Sequence, residues 1–389
     1  MAKNHKIAKC PPLRFPEFAD EWKQTTLGEI LAFETGYPFP SDSFNGEGNG
    51  VRLIKNRDLK TDDRIIYYEG EYDERYIVQN GDILIGMDGD FSPCLWKKGK
   101  ALLNQRVGRI NTNQNASRVF ILYVLADSLK EIELKTSSTT VKHLSHKDVE
   151  KIKASLPSLA EQQKIAGFLS LIDERIESCS ETIKEIKTLK AGLLSLRVYQ
   201  ADKQYVPLSY FGEMKHGYPF KSTSYDEDGT HRIVTISNVS GARYADMSKC
   251  NYLAELPHDI QQHQILSRND ILISLTGNVG RVSFCLADGD LLNQRVGVLS
   301  LCDEAYKEYI YQVLSDWRFE MSMVACGQGA AQLNISKSNV EGYLVPYEQS
   351  EYQEIGNFFS LLDDRIEIEE ELLKQYEMQK KYLLRQMFI

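Results

Sequence analysis

The sequence of 389 residues predicts an α+β protein with two tandem copies of one mixed α/β domain, each followed by a long helix. Three observations predict this: short sequences that occur twice, short apolar runs bounded by turn residues, and two segments with a heptad pattern of apolar residues. We expect the two helices to pair as an antiparallel coiled coil with pseudo-twofold symmetry.

Four sequences occur twice in the same order, at offsets of 181, 188, 189 and 190 residues. Gly-Tyr-Pro-Phe begins at residues 36 and 217, and Asp-Ile-Leu-Ile begins at residues 82 and 270. Leu-Leu-Asn-Gln-Arg-Val-Gly begins at residues 102 and 291, and a longer segment of the Ser-Leu-Ile-Asp-Glu-Arg-Ile-Glu type begins at residues 170 and 360. This order indicates tandem duplication. A duplicated chain can imitate a symmetric dimer and suits a target with two halves.

The composition is that of a globular protein, with 42% hydrophobic and 26% charged residues and a net charge of −9. No apolar run reaches the length of a transmembrane helix, and the N-terminus does not resemble a secretory signal. The seven cysteines have no C-x-x-C spacing, which favours reduced thiols in a cytoplasmic protein and argues against zinc. The negative charge argues against a simple nucleic-acid binder, because phosphate contacts need clustered Lys and Arg.

Each copy opens with a short polar segment that ends in Gly-Tyr-Pro-Phe, and strand-like sequence follows it. We expect β-rich stretches at residues 51–59, 65–78 and 232–239, and buried strands at residues 80–87 and 269–275. Further strands are expected at residues 102–110 and 291–301, and amphipathic helices at about residues 117–134 and 305–324.

The heptad pattern predicts a long helix at the end of each copy, and proline at residues 157 and 346 marks where each helix begins. The first helix covers residues 159–196, and about 35 residues correspond to a rod of roughly 50 Å. Cys179, Leu383 and Met387 also fit the pattern, and Glu369 is its one polar member. The predicted apolar positions are Ile165, Leu169, Ile172, Ile176, Ile183, Ile186, Ile355, Phe359, Leu362, Ile366, Leu373 and Tyr376.

An antiparallel pair of these helices would hold the two globular domains at opposite ends as a fixed spacer. The alternative is that each helix packs on its own domain. The predicted domains are residues 1–156 and 201–345, and the predicted helical regions are residues 157–200 and 346–389.

No arrangement of catalytic residues is evident. Nucleotide-binding, metalloprotease and serine-hydrolase signatures are absent, as is the Asn/Asp-Pro-Pro-aromatic sequence of adenine methyltransferases. The seven histidines do not correspond between the copies, whereas a duplicated active site would have left its residues in both.

The shared Asn-Gln-Arg at residues 104–106 and 293–295 has two interpretations. Amide and guanidinium groups read base edges, but an identical triplet in domains that read different sequences is better explained as scaffold. We favour the scaffold role, and for Gly-Tyr-Pro-Phe we favour a turn with aromatic anchors.

Residues that read bases should differ between the copies, so the candidates are polar residues beside the shared sequences. For each of them an ordinary solvated loop is the alternative. The first-copy candidates are Lys55, Asn56, Arg57, Asp90, Ser92, Lys97, Lys98, Ser138, Thr139 and Thr140. The second-copy candidates are Lys221, Thr235, Ser237, Asn238, Asn278, Arg281 and Gln328.

Taken together, the chain resembles the specificity subunit of Type I restriction-modification systems over essentially its whole length. The resemblance rests on the opening Leu-Arg-Phe-Pro-Glu-Phe at residues 13–18, the repeated strand and turn sequences, and Glu-Gln-Gln-Lys-Ile at residues 161–165 before the first heptads. The second copy departs mildly, because Tyr352 and Glu354 replace the first Gln of that pair and Lys164.

The resemblance implies two target recognition domains that each read one half of a split DNA sequence, with the helices setting the gap. It also implies a subunit without activity of its own. Its expected partners are double-stranded DNA, modification subunits (two are expected), which carry S-adenosylmethionine, and restriction subunits, which use ATP and Mg. No cofactor or metal is expected in this chain. The rival hypotheses are a tandem-repeat scaffold without a DNA role and an enzyme with an unrecognised active site.

Overall fold

The computed structural model describes residues 10–135, 143–200, 203–327 and 333–389. Contacts within the chain divide it into two compact units. Unit 1 comprises Met1–Ser178 and Leu373–Ile389, and unit 2 comprises Cys179–Leu372. Each unit therefore contains one globular α/β domain together with about half of each long helix.

Unit 1 has a two-stranded sheet (β1-β11), a four-stranded sheet in the order β2-β10-β7-β8 and a five-stranded sheet in the order β3-β5-β4-β9-β6. Its strands are β1 (Lys23–Thr26), β2 (Leu31–Thr35), β3 (Phe44–Asn45), β4 (Val51–Ile54), β5 (Ile66–Tyr68), β6 (Ile77–Val78), β7 (Ile83–Gly86), β8 (Pro93–Leu95), β9 (Ala101–Leu103), β10 (Val107–Thr112) and β11 (Lys153–Leu156). Its helices are α1 (Arg118–Lys135), α2 (His146–Glu150) and the first half of α3 (Leu159–Arg197).

Unit 2 repeats this plan with a two-stranded sheet (β12-β20), a four-stranded sheet (β13-β19-β16-β17) and a three-stranded sheet (β15-β14-β18). Its strands are β12 (Gln204–Pro207), β13 (Gly212–His216), β14 (His231–Val234), β15 (Asn251–Leu253), β16 (Ile271–Ser274), β17 (Val282–Phe284), β18 (Leu291–Leu292), β19 (Val296–Leu301) and β20 (Leu344–Tyr347). Its helices are α4 (Lys307–Leu314), α5 (Trp317–Cys326), α6 (Lys337–Glu341) and the first half of α7 (Tyr352–Met387).

The repeated Asp-Ile-Leu-Ile sequence forms the buried centre of the four-stranded sheet in each unit, as predicted. Ile83, Leu84 and Ile85 are fully buried in β7, and β16 is buried in the same way. The aspartate that precedes each strand caps a turn, because Asp82 accepts from the Gln79 amide at 3.0 Å and Asp270 from the Ser267 amide at 2.8 Å. The duplicated sequence therefore specifies both the strand and the turn that leads into it.

Several predicted elements are shorter than expected. The stretches at residues 51–59, 65–78 and 232–239 contain only short strands joined by 3-10 or capped turns. The predicted strands at residues 102–110 and 291–301 each divide into two strands that belong to different sheets. The predicted helix at residues 305–324 is also two helices, because the Asp316 side chain caps the start of α5 through the Arg318 amide.

The two long helices pair in antiparallel fashion within each unit. In unit 1 the first half of α3 shares a core with the last turns of α7, where Leu383 and Met387 are buried. In unit 2 the end of α3, with Leu194 buried, shares a core with the start of α7 around Phe359. The prediction that the helices pair is confirmed, and each helix also packs on the domain of its unit, so the alternative holds for part of each helix.

The heptad pattern matches the burial along both helices. Ile165, Leu169, Ile172, Ile183, Phe359 and Ile366 are buried, and Ile176, Ile186, Ile355, Leu362, Leu373 and Tyr376 are half-buried. Glu369, the polar member, is buried as well and forms an ion pair with Arg365 one turn earlier. A charged neighbour thus compensates the burial of this carboxylate.

Candidate nucleic-acid interface

The two repeated turn sequences contact each other in both units. The Tyr37 amide donates to the Leu103 carbonyl at 2.9 Å, and the Gln105 amide donates to the Tyr37 carbonyl at 3.1 Å. Tyr218 makes the same two bonds with Leu292 and Gln294, at 2.7 and 2.9 Å. These bridges lie where the chain passes from one sheet to the other, so the shared residues define the junction of the sheets.

Gly36 and Gly217 permit this close approach. A Cβ atom at Gly36 would lie less than 3.0 Å from the Leu103 carbonyl oxygen, and one at Gly217 equally close to the Asn293 carbonyl. Phe39 and Phe220 are buried beside them. The predicted role of Gly-Tyr-Pro-Phe as a turn with aromatic anchors is therefore confirmed for its phenylalanines, while Tyr37 remains 44% exposed.

The Asn-Gln-Arg triplet divides between scaffold and surface. Asn104 Oδ1 accepts from the Gln105 amide at 2.8 Å, and Asn293 Oδ1 accepts from the Arg295 amide at 3.1 Å. The glutamine and arginine side chains are exposed in both units. Arg106 forms an ion pair with Asp88 at 3.1 Å. The scaffold role thus belongs to the asparagines.

In unit 1 the candidates Lys55, Asn56 and Arg57 lie on a turn after β4. The buried carboxylate of Asp58 caps this turn by accepting from the Lys55 amide at 2.7 Å. Asn56 donates to the Asp88 carbonyl at 2.5 Å, which joins this turn to the one after β7. Arg57 donates to the Arg64 carbonyl at 3.2 Å, and its side chain is 46% exposed.

The remaining described candidates of unit 1 form ion pairs or hydrogen bonds within the unit, and all but Lys97 contact the same turns. Asp90 pairs with Lys60 and also accepts from the Ser92 amide at 2.7 Å. These bonds, first of all the one from Lys60, lower the pKa of the Asp90 carboxyl to about 2. Lys98 pairs with Asp62 at 2.9 Å, and Lys97 pairs with Glu177 on α3 at 2.5 Å.

The second unit builds the corresponding turn with an amide in place of the carboxylate. Asn238 is buried and accepts from the Thr235 amide at 2.8 Å. Its Nδ2 donates to the carbonyls of Asp246 and Lys249, at 2.8 and 3.0 Å. The structure therefore places Asn238 inside the fold as a cap, whereas Ser237 on the same turn is exposed.

The other candidates of unit 2 lie on two separate turns. Asn278 is exposed at the turn after β16, and Arg281 pairs with Glu320 at 3.5 Å. Gly277 on this turn lies beside Ile236, so the turns after β14 and β16 are adjacent, as in unit 1. Lys221 is exposed before a 3-10 turn, away from these contacts. Ser138, Thr139, Thr140 and Gln328 lie outside the described residues.

The structure adds a contact at each site that the sequence did not indicate. His143 Nδ1 lies 2.8 Å from Asp88 Oδ1 in unit 1, and Thr276 donates to Asn334 Oδ1 at 3.1 Å in unit 2. Each contact ties the turn after the central strand to the residues that precede α2 or α6. Equivalent positions thus carry an aspartate and a histidine in one unit and a threonine and an asparagine in the other.

Each unit therefore brings two polar turns together where its sheets meet. The backbone frame is the same in both units, and the exposed side chains differ. Among the residues that the structure describes, no group of His, Cys, Asp and Glu could hold a metal ion. Within the same residues, no helix is long and apolar enough to cross a membrane.

A family model described as Type I restriction modification DNA specificity domain matches the chain twice, over residues 19–188 and 201–378. The chain therefore belongs to this family, and it supplies DNA sequence specificity as the specificity-subunit component of a Type I restriction-modification system.

Curated relatives and a solved structure agree with this assignment. The chain is 25% identical over 370 residues to the specificity subunit of the Type I restriction enzyme EcoBI from Escherichia coli, covering 86% of this chain and 77% of that protein. It is 23% identical over 426 residues to the MjaVIII specificity subunit from Methanocaldococcus jannaschii, covering 98% and 95%. The crystal structure of a Type I S subunit from M. genitalium shares its fold, with a TM-score of 0.68, 17% identity, and 98% and 99% coverage.

Proposed function

We propose that the chain reads a DNA sequence in two parts, one with each unit, and that the paired long helices fix the number of unread base pairs between them. The recognition domains in this proposal are residues 1–156 and 201–345, and the spacer regions are residues 157–200 and 346–389. A rigid spacer between two readers would make the target a split sequence with a constant gap.

The observation that carries the proposal is the pair of equivalent turn sites with different exposed side chains. In each unit, turns after strands of two different sheets meet. The shared Asn-Gln-Arg lies at the junction of those sheets. A common frame with different polar groups is what two readers of different base sequences require, because base edges are distinguished by donor and acceptor patterns.

We propose that the candidate residues on and near these turns face the DNA. In unit 1 these are the exposed Arg57, Ser92, Lys97 and Lys98 and the half-buried Lys55, with Asn56 holding the two turns together. In unit 2 they are the exposed Ser237 and Asn278 and the half-buried Arg281, with Thr235 and Asn238 shaping the turn, together with the exposed Lys221 on a separate turn. Ser138, Thr139, Thr140 and Gln328 remain candidates for phosphate contacts.

We further propose that partner subunits supply the chemistry and much of the phosphate binding. The chain has a net charge of −9, and Lys60, Lys97, Lys98, Arg106 and Arg281 already pair with carboxylates. Affinity for DNA depends on cations that neutralise phosphates, so an isolated chain of this kind should bind weakly. Modification subunits with S-adenosylmethionine and restriction subunits with ATP and Mg would complete the complex, and this chain would act without catalysis.

A cytoplasmic location fits the proposal. The seven cysteines, all within the described residues, form no disulfide with one another, and thiols persist in a reducing compartment.

The test is a map of methylated adenines. The chain is expressed with its modification subunit in a host without adenine methylation, and modified positions are read by single-molecule sequencing. We expect a split sequence with a constant gap, which disappears when this chain is omitted. A soluble complex that leaves no such methylation would contradict the proposal and favour the scaffold alternative.

A further inference from the structure

The N-terminal segment of unit 1 lies along the start of α3. Arg14 donates to the buried carboxylate of Glu161 through Nε and Nη2, at 2.6 and 2.7 Å. The Phe15 ring meets Phe168 edge-on with the ring centres 5.8 Å apart, and Glu17 pairs with Lys164. The Leu13 amide also donates to the Gln386 carbonyl on α7, at 2.9 Å. This segment makes a turn at residues 15–18, where the Phe18 amide donates to the Phe15 carbonyl at 3.1 Å, and it covers a groove between the two long helices of its own unit.

The equivalent surface of unit 2 is an open groove of about 430 Å³. The 190-residue offset of the repeat places Phe358 where unit 1 has Phe168, and Phe358 is 46% exposed. Leu193 and Arg197 take the places of Leu383 and Met387, which are only 6% and 2% exposed in unit 1. The same helical surface is thus covered by the N-terminal segment in one unit and open in the other.

The chain of unit 2 does not supply a covering segment among its described residues. After α3 ends at Arg197 it reaches β12 at Gln204, and Lys203 pairs with Glu351, the equivalent of Glu161. In unit 1 the corresponding contact to Glu161 comes from Trp22, at 3.3 Å, which follows the covering segment. Unit 1 therefore shows what kind of chain fits this surface.

The charge of the open groove identifies its occupant further. Glu354 stands where unit 1 has Lys164, so the position that accepts Glu17 in unit 1 is acidic in unit 2. A second copy of this chain, docking through its own residues 13–18, would bring Glu17 against Glu354. Like charges in contact disfavour that occupant, whereas a basic side chain at this position would form an ion pair.

We propose that this groove of unit 2 binds a segment of a partner polypeptide in which an aromatic residue, a proline and then a basic residue form a turn. The aromatic ring would pack on Phe358, as Phe15 packs on Phe168. The proline would preform the turn that Phe15–Phe18 makes in unit 1, which reduces the entropic cost of binding. The basic group would lie beside Glu354. The inference concerns assembly and is independent of how the units read DNA.

Two labelled peptides test the proposal against the full-length chain by fluorescence anisotropy. One has the sequence Leu-Arg-Phe-Pro-Glu-Phe of residues 13–18, and the other has lysine in place of its glutamate. We expect the lysine peptide to bind about tenfold more tightly, which corresponds to one favourable charge contact. Glu354→Lys should reverse this preference, and Phe358→Asp should abolish binding of both peptides.

Ile368→Asp is the matched control, because Ile368 is 54% exposed on α7 outside the groove, and this variant should bind as the unmodified chain does. The result that neither peptide binds would overturn the proposal. So would tighter binding of the glutamate peptide, which would favour a second copy as the occupant, or equal loss of binding in Phe358→Asp and Ile368→Asp. None of these outcomes bears on the methylation map.

Discussion

Lys190 on α3 lies 2.5 Å from Asp363 on α7, and this ion pair recurs at the equivalent positions of unit 1 between Lys380 and Asp173. Each aspartate also binds a helix of its recognition domain. Gln312 on α4 donates to Asp363 and Tyr123 on α1 donates to Asp173, both at 2.7 Å. One carboxylate in each unit therefore links both long helices to the domain that they carry.

This arrangement predicts that Lys190→Met will destabilise unit 2. Asp363 is 8% exposed, and loss of the ammonium would leave its charge less compensated, although Gln312 and Arg243 remain bonded to it. Burial lowers the pKa of Lys190, and Asp363 opposes that shift, so the lysine is held in a poorly solvated position. We expect a loss of about 1–3 kcal/mol in the free energy of unfolding, measured with urea.

Lys187→Met is the control on the same helix. Lys187 pairs with Glu370 at 2.7 Å, but both side chains are more than half exposed, so the expected loss is below about 0.5 kcal/mol. Equal losses in the two variants would show that the buried position of Asp363 has no special effect.

Alanine should have opposite effects on stability at two glycines of unit 1, one at the junction of the sheets and one on α3. Gly36→Ala should destabilise by about 1–3 kcal/mol, because the new methyl group would press on the Leu103 and Asn104 backbone. Gly167→Ala should stabilise by about 0.4–1 kcal/mol, since nothing lies within 4 Å of its Cβ position on α3 and alanine favours a helix. Thermal unfolding of both variants measures this contrast, and a stabilising Gly36→Ala would refute the close approach.

Two asparagines of unit 2 predict that one substitution changes DNA recognition without changing stability and that another lowers stability. Asn278 is exposed and Asn238 is a buried cap with three backbone partners. Asn278→Ala should change the base sequence of one half-site or the extent of methylation there. Its free energy of unfolding should stay within about 0.5 kcal/mol of that of the unmodified chain. Asn238→Ala should lower that free energy by about 1–3 kcal/mol. Normal methylation by Asn278→Ala would remove this residue from the candidates.

The sequence predicted the elements that depend on local pattern. The heptad pattern predicted both long helices, because a repeat of apolar residues can be recognised in a helix without knowing which helix packs against it. The repeated Asp-Ile-Leu-Ile gave the buried central strands, because four consecutive apolar or small residues suit a strand covered on both faces.

Features that depend on distant contacts were not accessible. The strand that contains Leu102 ends at Leu103, where Tyr37 forms a β-bridge to Asn104. The sequence around Asn104 does not predict this bridge, because Tyr37 is distant along the chain. Glu177, which pairs with Lys97, lies 80 residues away along the chain, and Lys190, which pairs with Asp363, lies 173 residues away. The division of the second amphipathic helix was detectable in principle, since Ser315-Asp316 is a helix-capping sequence.

The sequence predicted which positions belong to the candidate site. It did not predict which of them are exposed and which are buried or paired. Sequence differences between the copies pointed to the turns that meet at the sheet junction. They could not show that Asn238 is buried or that Lys98 pairs with Asp62, because burial and ion pairing follow from the fold.

The central claim is that paired helices set the gap between two reading units, and one measurement tests it directly. A heptad is inserted into α3 after Ser178 and another into α7 after Leu372, where the two units divide. Insertion into both helices keeps the antiparallel register and adds roughly 10 Å, about three base pairs of length. In the methylation map the double insertion should lengthen the unread gap while both half-sites persist. An unchanged gap would contradict the account.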